Sequence, residues 1–136
     1  MRISITSSLF LLFSTLIFYQ NKPAYKLYNA NGSEVSYQKM INKMGKADVV
    51  LFGEHHTNPI VHWLQQEATS DLFALRKLTL GAEMFEADDQ IAINEYLSGL
   101  ISEKNFIKEA RAWNNYKDYR PMVEFAKKTG IDVISG

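Results

Sequence analysis

All 3 histidines of the chain lie between positions 55 and 62, and Glu54 directly precedes them. Neutral imidazole is the commonest metal ligand among side chains, and its charge changes near physiological pH. A carboxylate at Glu54 is suited to act as a general base, as a metal ligand or as the partner that orients a histidine ring. Since His55 and His56 are adjacent, we expect their side chains to diverge, so that one of them points with His62 into a site. The cluster therefore predicts a ligand-related role for this segment.

A second carboxylate and a group of aromatic residues extend this candidate set. Glu83 lies near the end of an apolar run, and Tyr116 and Tyr119 lie in a stretch that also contains Trp113. Such aromatic residues either pack in a core or form a stacking wall for a flat cofactor, and tyrosine also binds haem iron. Zinc sites need three or four ligands. Glu54, one of the paired histidines and Glu83 are one ligand short of a four-ligand site.

Two apolar runs must position these residues. Asp48–Phe52 and Leu78–Met84 have the continuous apolar character of parallel strands that are covered on both faces. Between them, Asn58 and Pro59 are suited to cap and open a helix, along which apolar residues recur every three or four positions. That stripe consists of Val61, Leu64, Ala68, Leu72 and Leu75.

The rest of the chain continues the alternation of strands and helices. Asn31 and Gly32 predict a hairpin within residues 25–37, followed by a helix over Gln38–Met44 that ends at Gly45. After the second strand we predict two short helices, an aromatic loop, a helix that begins at a proline and a third strand. These lie at residues 87–98, 102–111, 113–119, 121–128 and 131–135.

This order predicts an α/β fold in which a parallel β-sheet is flanked by helices, with right-handed crossovers and a small helical insertion at about residues 87–111. In open parallel sheets, ligands bind beyond the carboxyl ends of the strands. If the strands that end at Phe52 and Met84 are neighbours, Glu54, the histidines and Glu83 converge on one rim. No element follows the third strand to cover it, so we expect residues 25–136 to be a domain that is incomplete, or truncated, at the C-terminus.

The composition limits the classes of partner and the compartment. The 15 basic and 15 acidic residues cancel to a formal net charge of +0. The chain therefore lacks the excess of positive charge that is typical of nucleic-acid-binding proteins. A positive start and the apolar run Leu9–Phe18 predict a secretory leader over residues 1–24 and therefore an exported protein. With 0 cysteines, the chain has no disulfide and lacks the residue that a lipoprotein anchor requires.

Three groups of residues occur in an order and spacing that are more specific together than any one of them alone. They are Gly53–Pro59 (GEHHTNP) with His62 and Gln65 or Gln66, Glu83–Phe85 with Gln90, and Trp113 with Tyr119–Pro121, Phe125–Ala126, Gly130 and the strand Ile131–Ser135. In this order they resemble the signatures of the ChaN-like haem-binding family, over a length from about Tyr25 to Gly136.

The resemblance implies a non-catalytic haem-binding protein of bacterial iron uptake in the periplasm or at the outer membrane, with an outer-membrane haem receptor as a further partner. It implies b-type, non-covalent haem, enclosed in a homodimer at the carboxyl rim of the sheet. In the family, a tyrosine binds the iron, and histidine and lysine of the partner subunit bind the propionates. The resemblance therefore implies that the iron ligand is Tyr116 or Tyr119, or a tyrosine in the part of the family that this chain does not match. It implies His56 and His62 as the residues that bind the propionates. The implied cofactor-binding set is Glu54, His55, His56, His62, Glu83, Tyr116 and Tyr119.

Two alternatives stay open. The family belongs to a wider group with TIKI-type peptidases and erythromycin-esterase-like hydrolases, which share a Gly-x-x-His motif and a later glutamate. Gly53, His56 and Glu83 match that pattern, which implies a metal-dependent hydrolase with Glu54 and Glu83 as base and ligand of a divalent metal. The C-terminal half of the family has no counterpart in this chain, so a non-functional truncated fragment is the second alternative.

Overall fold

The computed structural model describes residues 22–136, so the predicted leader falls outside the described residues except for positions 22–24. A single 3₁₀ turn at Ala87–Asp89 precedes the third helix. The strands and helices are β1 (Leu27–Tyr28), β2 (Glu34–Val35), α1 (Tyr37–Met44), α2 (Pro59–Leu75), β3 (Thr79–Ala82), α3 (Gln90–Leu97), α4 (Glu103–Glu109), α5 (Tyr116–Thr129) and β4 (Asp132–Ser135).

The hairpin and the first helix form as predicted. β1 and β2 pair in antiparallel register with Leu27 opposite Val35. Gly32 in the turn has a φ of 76°, a conformation that glycine adopts without a steric penalty. The Ser36 side chain accepts a hydrogen bond from the first turn of α1, and this satisfies a backbone donor that the helix cannot use. The helix ends before Gly45, so both predictions are confirmed.

α2 begins where the sequence predicts it. The Asn58 side chain accepts hydrogen bonds from two backbone N–H groups of the first turn, and Pro59 needs no such acceptor. Ala68 and Leu72, in the middle of the predicted stripe, are buried and pack against Ile41 of α1. The stripe prediction is wrong at Leu75, which is 58% exposed because the last turn of α2 extends past this small core.

The parallel sheet is smaller than predicted. β3 pairs with β4 in parallel, with Leu80 opposite Val133. Asp48–Phe52, predicted as a strand, does not form one, and Val49 and Leu51 are 75% and 91% exposed. The prediction is wrong because apolar character indicates only a tendency to be buried. A strand forms when its backbone groups also find a hydrogen-bonding neighbour, and this segment has no such neighbour within residues 22–136.

α5 begins earlier than predicted. The loop predicted at residues 113–119 and the helix start predicted at Pro121 are wrong, since α5 starts at Tyr116 and contains the proline. Proline lacks the N–H that would bond the carbonyl four residues earlier, and burial of one helix face offsets this loss. The buried residues of that face are Tyr116, Tyr119, Val123 and Ala126. Their helical spacing starts before the proline and is the sequence signal for the true start.

The main hydrophobic core joins the sheet to α3, α4 and α5. Phe106 of α4 is 0% exposed, and its ring centroid lies 5.4 Å from that of Phe85, 4.5 Å from Tyr96 and 5.9 Å from Tyr116. The predicted α/β class, a parallel sheet flanked by helices, is confirmed. Across residues 22–136, no helix has both the length and the apolar character that a membrane span requires.

Candidate functional site

Five polar or aromatic side chains from three parts of the chain meet in one hydrogen-bonded group, the Glu54 network. Its members are Glu54, His56, His62, Gln65 and Tyr119. The first two lie in the loop before α2, His62 and Gln65 lie one turn apart on α2, and Tyr119 lies on α5. The network forms because α2 packs directly against α5, which brings the loop and both helices together.

Glu54 is the central acceptor of the network. Its Oε1 accepts hydrogen bonds from the Tyr119 hydroxyl and from His56 Nδ1 at 2.9 Å. Its Oε2 accepts one from Gln65 Nε2 at 2.7 Å and lies 3.4 Å from His62 Nδ1. Only 11% of the Glu54 side chain is exposed, so these donors replace most of the water that would otherwise solvate the carboxylate.

The network changes the pKa values of both Glu54 and Tyr119. Burial acts to raise the pKa of Glu54, but the donated hydrogen bonds and the charge of His62 outweigh it, and the pKa lies below its usual 4.5. Burial, together with the hydrogen bond to Glu54, raises the pKa of Tyr119 to about 12. At neutral pH the carboxyl is therefore ionised, and the phenol keeps the proton that it donates.

His62 is a buried member of the network. It is 5% exposed, and its Nε2 lies 3.0 Å from the backbone carbonyl oxygen of His56. Its Nδ1 lies 3.2 Å from Gln65 Oε1, in addition to the contact with Glu54. Both ring nitrogens of His62 are thus in contact with oxygen atoms of the site. Neither nitrogen is available to a ligand.

His56 has the opposite environment, since its side chain is 57% exposed. Its backbone carbonyl accepts a hydrogen bond from Asn115 Nδ2 at 2.7 Å as well as the one from His62. Its ring meets the Trp113 ring edge-on, with centroids 5.3 Å apart. With Nδ1 bonded to Glu54, the Nε2 atom takes part in no hydrogen bond within residues 22–136.

A cavity of about 1170 Å³ lies beside the network, between the Asp48–Phe52 segment, α2 and β3. Glu54, His56 and Tyr119 line it, and so does Trp113. Its apolar wall includes Phe52, Leu72, Leu80, Met84 and Met122. The volume exceeds the range of about 300–1,000 Å³ that is typical of small-molecule sites, so it has room for a large, flat and mainly apolar ligand.

The other predicted site residues do not join the network. His55 is exposed and is not part of the cavity lining. Glu83 is exposed and lines the cavity, but no hydrogen bond links it to Glu54. The Tyr116 hydroxyl lies in the main core without a hydrogen-bond partner in the described chain, and burial raises its pKa. No three His, Asp or Glu residues between positions 22 and 136 are placed to share a metal ion.

Two polar residues of the site were not among those predicted to bind a ligand. Gln65 follows His62 by three positions, so the helical period alone places the pair on one face. Asn115 is 59 residues from His56, whose carbonyl it contacts, and no local pattern indicates that contact. The sequence could therefore have predicted Gln65 as a neighbour of His62, but it could not have predicted the contact of Asn115.

The lowered pKa of Glu54 predicts a pH-dependent contribution to stability. Because the folded pKa lies below that of the unfolded chain, this contribution is present in full above the usual 4.5 and is lost as the pH falls through the folded value. We expect the difference in free energy of unfolding between the wild type and Glu54→Gln to shrink on acidification. Urea unfolding from about pH 7 to about pH 3 measures it. A difference that is independent of pH would contradict this account of Glu54.

Comparisons with known proteins agree with this architecture. Residues 40–136 match a protein-family model described as haem-binding uptake, Tiki superfamily, ChaN. The solved structure of cofacial heme binding to ChaN of Campylobacter jejuni is similar to this chain with a TM-score of 0.67 and 20% sequence identity. The match covers 85% of this chain and 49% of that chain, so this chain spans about half the length of the solved protein. At that identity the likeness shows the fold. No curated protein matches the chain.

Proposed function

Because the chain belongs to the ChaN family of haem-binding uptake proteins in the Tiki superfamily, we propose that it binds haem, without turnover, at the cavity beside the Glu54 network. The observation that carries this proposal is His56, which lines the cavity and whose Nε2 takes part in no hydrogen bond within residues 22–136. An imidazole nitrogen that is free of hydrogen bonds is suited to contact a haem propionate, which is the role that the family resemblance implies for His56. Family membership supports the choice of ligand, and the cavity supports the choice of position.

Two further features of the chain suit haem. The wall is mainly apolar, as the porphyrin faces are, and Trp113 contributes a flat aromatic surface. The chain has 0 cysteines, so haem has no thiol for covalent attachment and would be held as b-type haem.

The same proposal includes a homodimer that haem holds together. ChaN of Campylobacter jejuni is described by its cofacial heme binding, and haems that face each other need protein on both sides. A symmetric pair of identical chains supplies equal surfaces for this. A role in haem uptake, an outer-membrane receptor as partner and export to the periplasm or outer membrane complete the proposal. These rest on the family description and on the leader predicted at residues 1–24.

Titration of the full chain with ferric haem tests the proposal. We expect a Soret absorbance change that saturates at one haem per chain, accompanied in sedimentation velocity by a shift from monomer to dimer. Absorbance that rises linearly with added haem, or haem that sediments only with aggregated protein, would show that the chain has no haem site. Saturable binding to a monomer would refute the dimer alone.

A further inference from the structure

Part of the cavity is a gap between the Asp48–Phe52 segment and β3, and we propose that one β-strand, from the half of the ChaN fold that this chain does not match, occupies this gap. Residues 49–52 line the cavity on one side of the gap, and residues 79–81 of β3 line it on the other. Such a strand would complete the sheet, which is a role separate from haem binding and independent of it.

The outer edge of β4 is closed by a side chain. Gln90 Nε2 donates a hydrogen bond to the Val133 carbonyl oxygen, and the Ser135 N–H donates one to Gln90 Oε1, both at 2.9 Å. The amide side chain thus pairs with β4 as a neighbouring strand would. Because Val133 and Ser135 use these backbone groups on the outer edge, the other residues of β4 provide its hydrogen bonds to β3. Within residues 22–136, the open edge of the sheet is therefore the edge of β3.

The open edge of β3 presents the backbone of Thr79 and Gly81. In the parallel register Gly81 lies opposite Ile134. Ile134 bonds to the residues on either side of Gly81, so the N–H and C=O groups of Gly81 itself point away from β4. The same holds for Thr79, which lies opposite Asp132. Outside the pairing of β3 with β4, no hydrogen bond within residues 22–136 involves the backbone of Thr79 or Gly81. These two residues therefore offer unpaired donors and acceptors to the gap.

The Asp48–Phe52 segment offers a second unpaired backbone. No hydrogen bond within residues 22–136 involves its N–H or C=O groups, and Val49 and Leu51 are 75% and 91% exposed. The segment is connected to β3 through α2, as in a strand–helix–strand unit whose two strands run in the same direction. Consecutive strands of a sheet are not neighbours in about a third of cases. An intervening strand would give both sides of the gap the backbone partner that they lack.

A β-strand matches the chemistry of both sides of the gap. Strands that add to a sheet edge bind through main-chain hydrogen bonds, and their alternate side chains enter apolar surroundings. The similarity to ChaN indicates the source of the strand, because the match covers 85% of this chain but only 49% of the solved protein. About half of that fold therefore lies outside the match. The proposed haem site remains open, since Glu54 and His56 follow the segment and lie beyond its carboxyl end.

The width of the gap is tested with pairs of introduced cysteines, since the chain has 0 cysteines of its own. Val50→Cys is combined in turn with Thr79→Cys, Leu80→Cys and Gly81→Cys, because side chains alternate along a strand. A gap one strand wide separates its two sides by about 9–10 Å, twice the spacing of neighbouring strands, whereas a disulfide needs Cα atoms within about 7 Å. We expect no disulfide on oxidation, and cross-linking only by a bis-maleimide that spans the wider distance. A disulfide within the folded chain would show that the segment pairs directly with β3.

The occupant is tested by mixing the full chain with a separate polypeptide, the half of Campylobacter jejuni ChaN that this chain does not match. Main-chain hydrogen bonds supply the affinity in strand addition, so a probe of low sequence identity is adequate. We expect a one-to-one complex in sedimentation velocity. Val50→Pro and Leu51→Pro each remove one N–H without breaking a backbone hydrogen bond of the chain itself. The variant whose N–H faces the gap should bind the probe about tenfold more weakly.

Ala30→Pro is the matched control and should bind the probe as the wild type does, because Ala30 lies in the exposed turn of the hairpin, where proline is accommodated. No complex, or equal binding by the wild type and both variants of the segment, would overturn the inference. A dimer of the chain alone that these variants abolish would make a second copy the occupant and would overturn it as well. Saturable haem binding without a complex leaves the proposed function standing, and a complex without haem binding leaves the strand in the gap.

Discussion

Replacing Glu54 with alanine is expected to lower the free energy of unfolding by about 2–3 kcal/mol, because buried hydrogen-bond donors are left without their acceptor. The loss is large because the Tyr119 hydroxyl and the Gln65 amide both donate to this carboxylate. The buried ring of His62 also loses the neighbouring negative charge at 3.4 Å. Urea unfolding followed by tryptophan fluorescence measures the change, since Trp113 lies beside the network.

Glu83→Ala is the control for this prediction. Glu83 lines the same cavity but is exposed and outside the network, so we expect its loss to change the free energy of unfolding by less than about 0.5 kcal/mol. Glu54→Gln keeps the volume of the side chain and one acceptor oxygen, and should fall between the two. Similar values for Glu54→Ala and Glu83→Ala would mean that the network does not stabilise the fold.

Replacing Phe106 with alanine is expected to cost about 3–5 kcal/mol of unfolding free energy, as for other fully buried aromatic residues. Phe106 is 0% exposed and stacks on Tyr96 of α3 with an interplanar angle of 4°. It also contacts Phe85, which follows β3, and Tyr116, which begins α5. Its removal leaves a cavity at the point where α3, α4, α5 and the sheet meet. Thermal and urea unfolding both measure this loss.

The neighbouring Ile107 provides the matched control. It lies on the same helix and is also apolar, but it is 37% exposed, so Ile107→Ala should cost no more than about 1 kcal/mol. If both variants lost the same amount, α4 would not be anchored by Phe106. Because Phe106 is outside the cavity lining, Phe106→Ala that remains folded should still bind haem.

Predictions that depend on local signals agree with the structure. Asn58 and Pro59 mark the start of α2, and Gly32 marks the hairpin, because a cap or a turn acts on backbone groups only a few residues away. The prediction of a strand at Asp48–Phe52 was wrong because a strand depends on a partner from another part of the chain, which no local signal reveals. The start of α5 was missed because the rule for helical proline ignores packing, and packing here outweighs it.

By itself, the sequence determined the inventory of the site: a glutamate and all the histidines in one short segment, aromatic residues further along, and motifs specific enough to identify the family. Tertiary structure alone decided which of these residues is available. His55, His56 and His62 are the same residue type, yet one lies outside the cavity, one lines it, and one is buried beneath it. The difference arises from contacts across 65 residues to Tyr119 and 59 residues to Asn115. Hydrogen bonding and burial at that separation follow from how α2 and α5 pack, and no local pattern of residues specifies them.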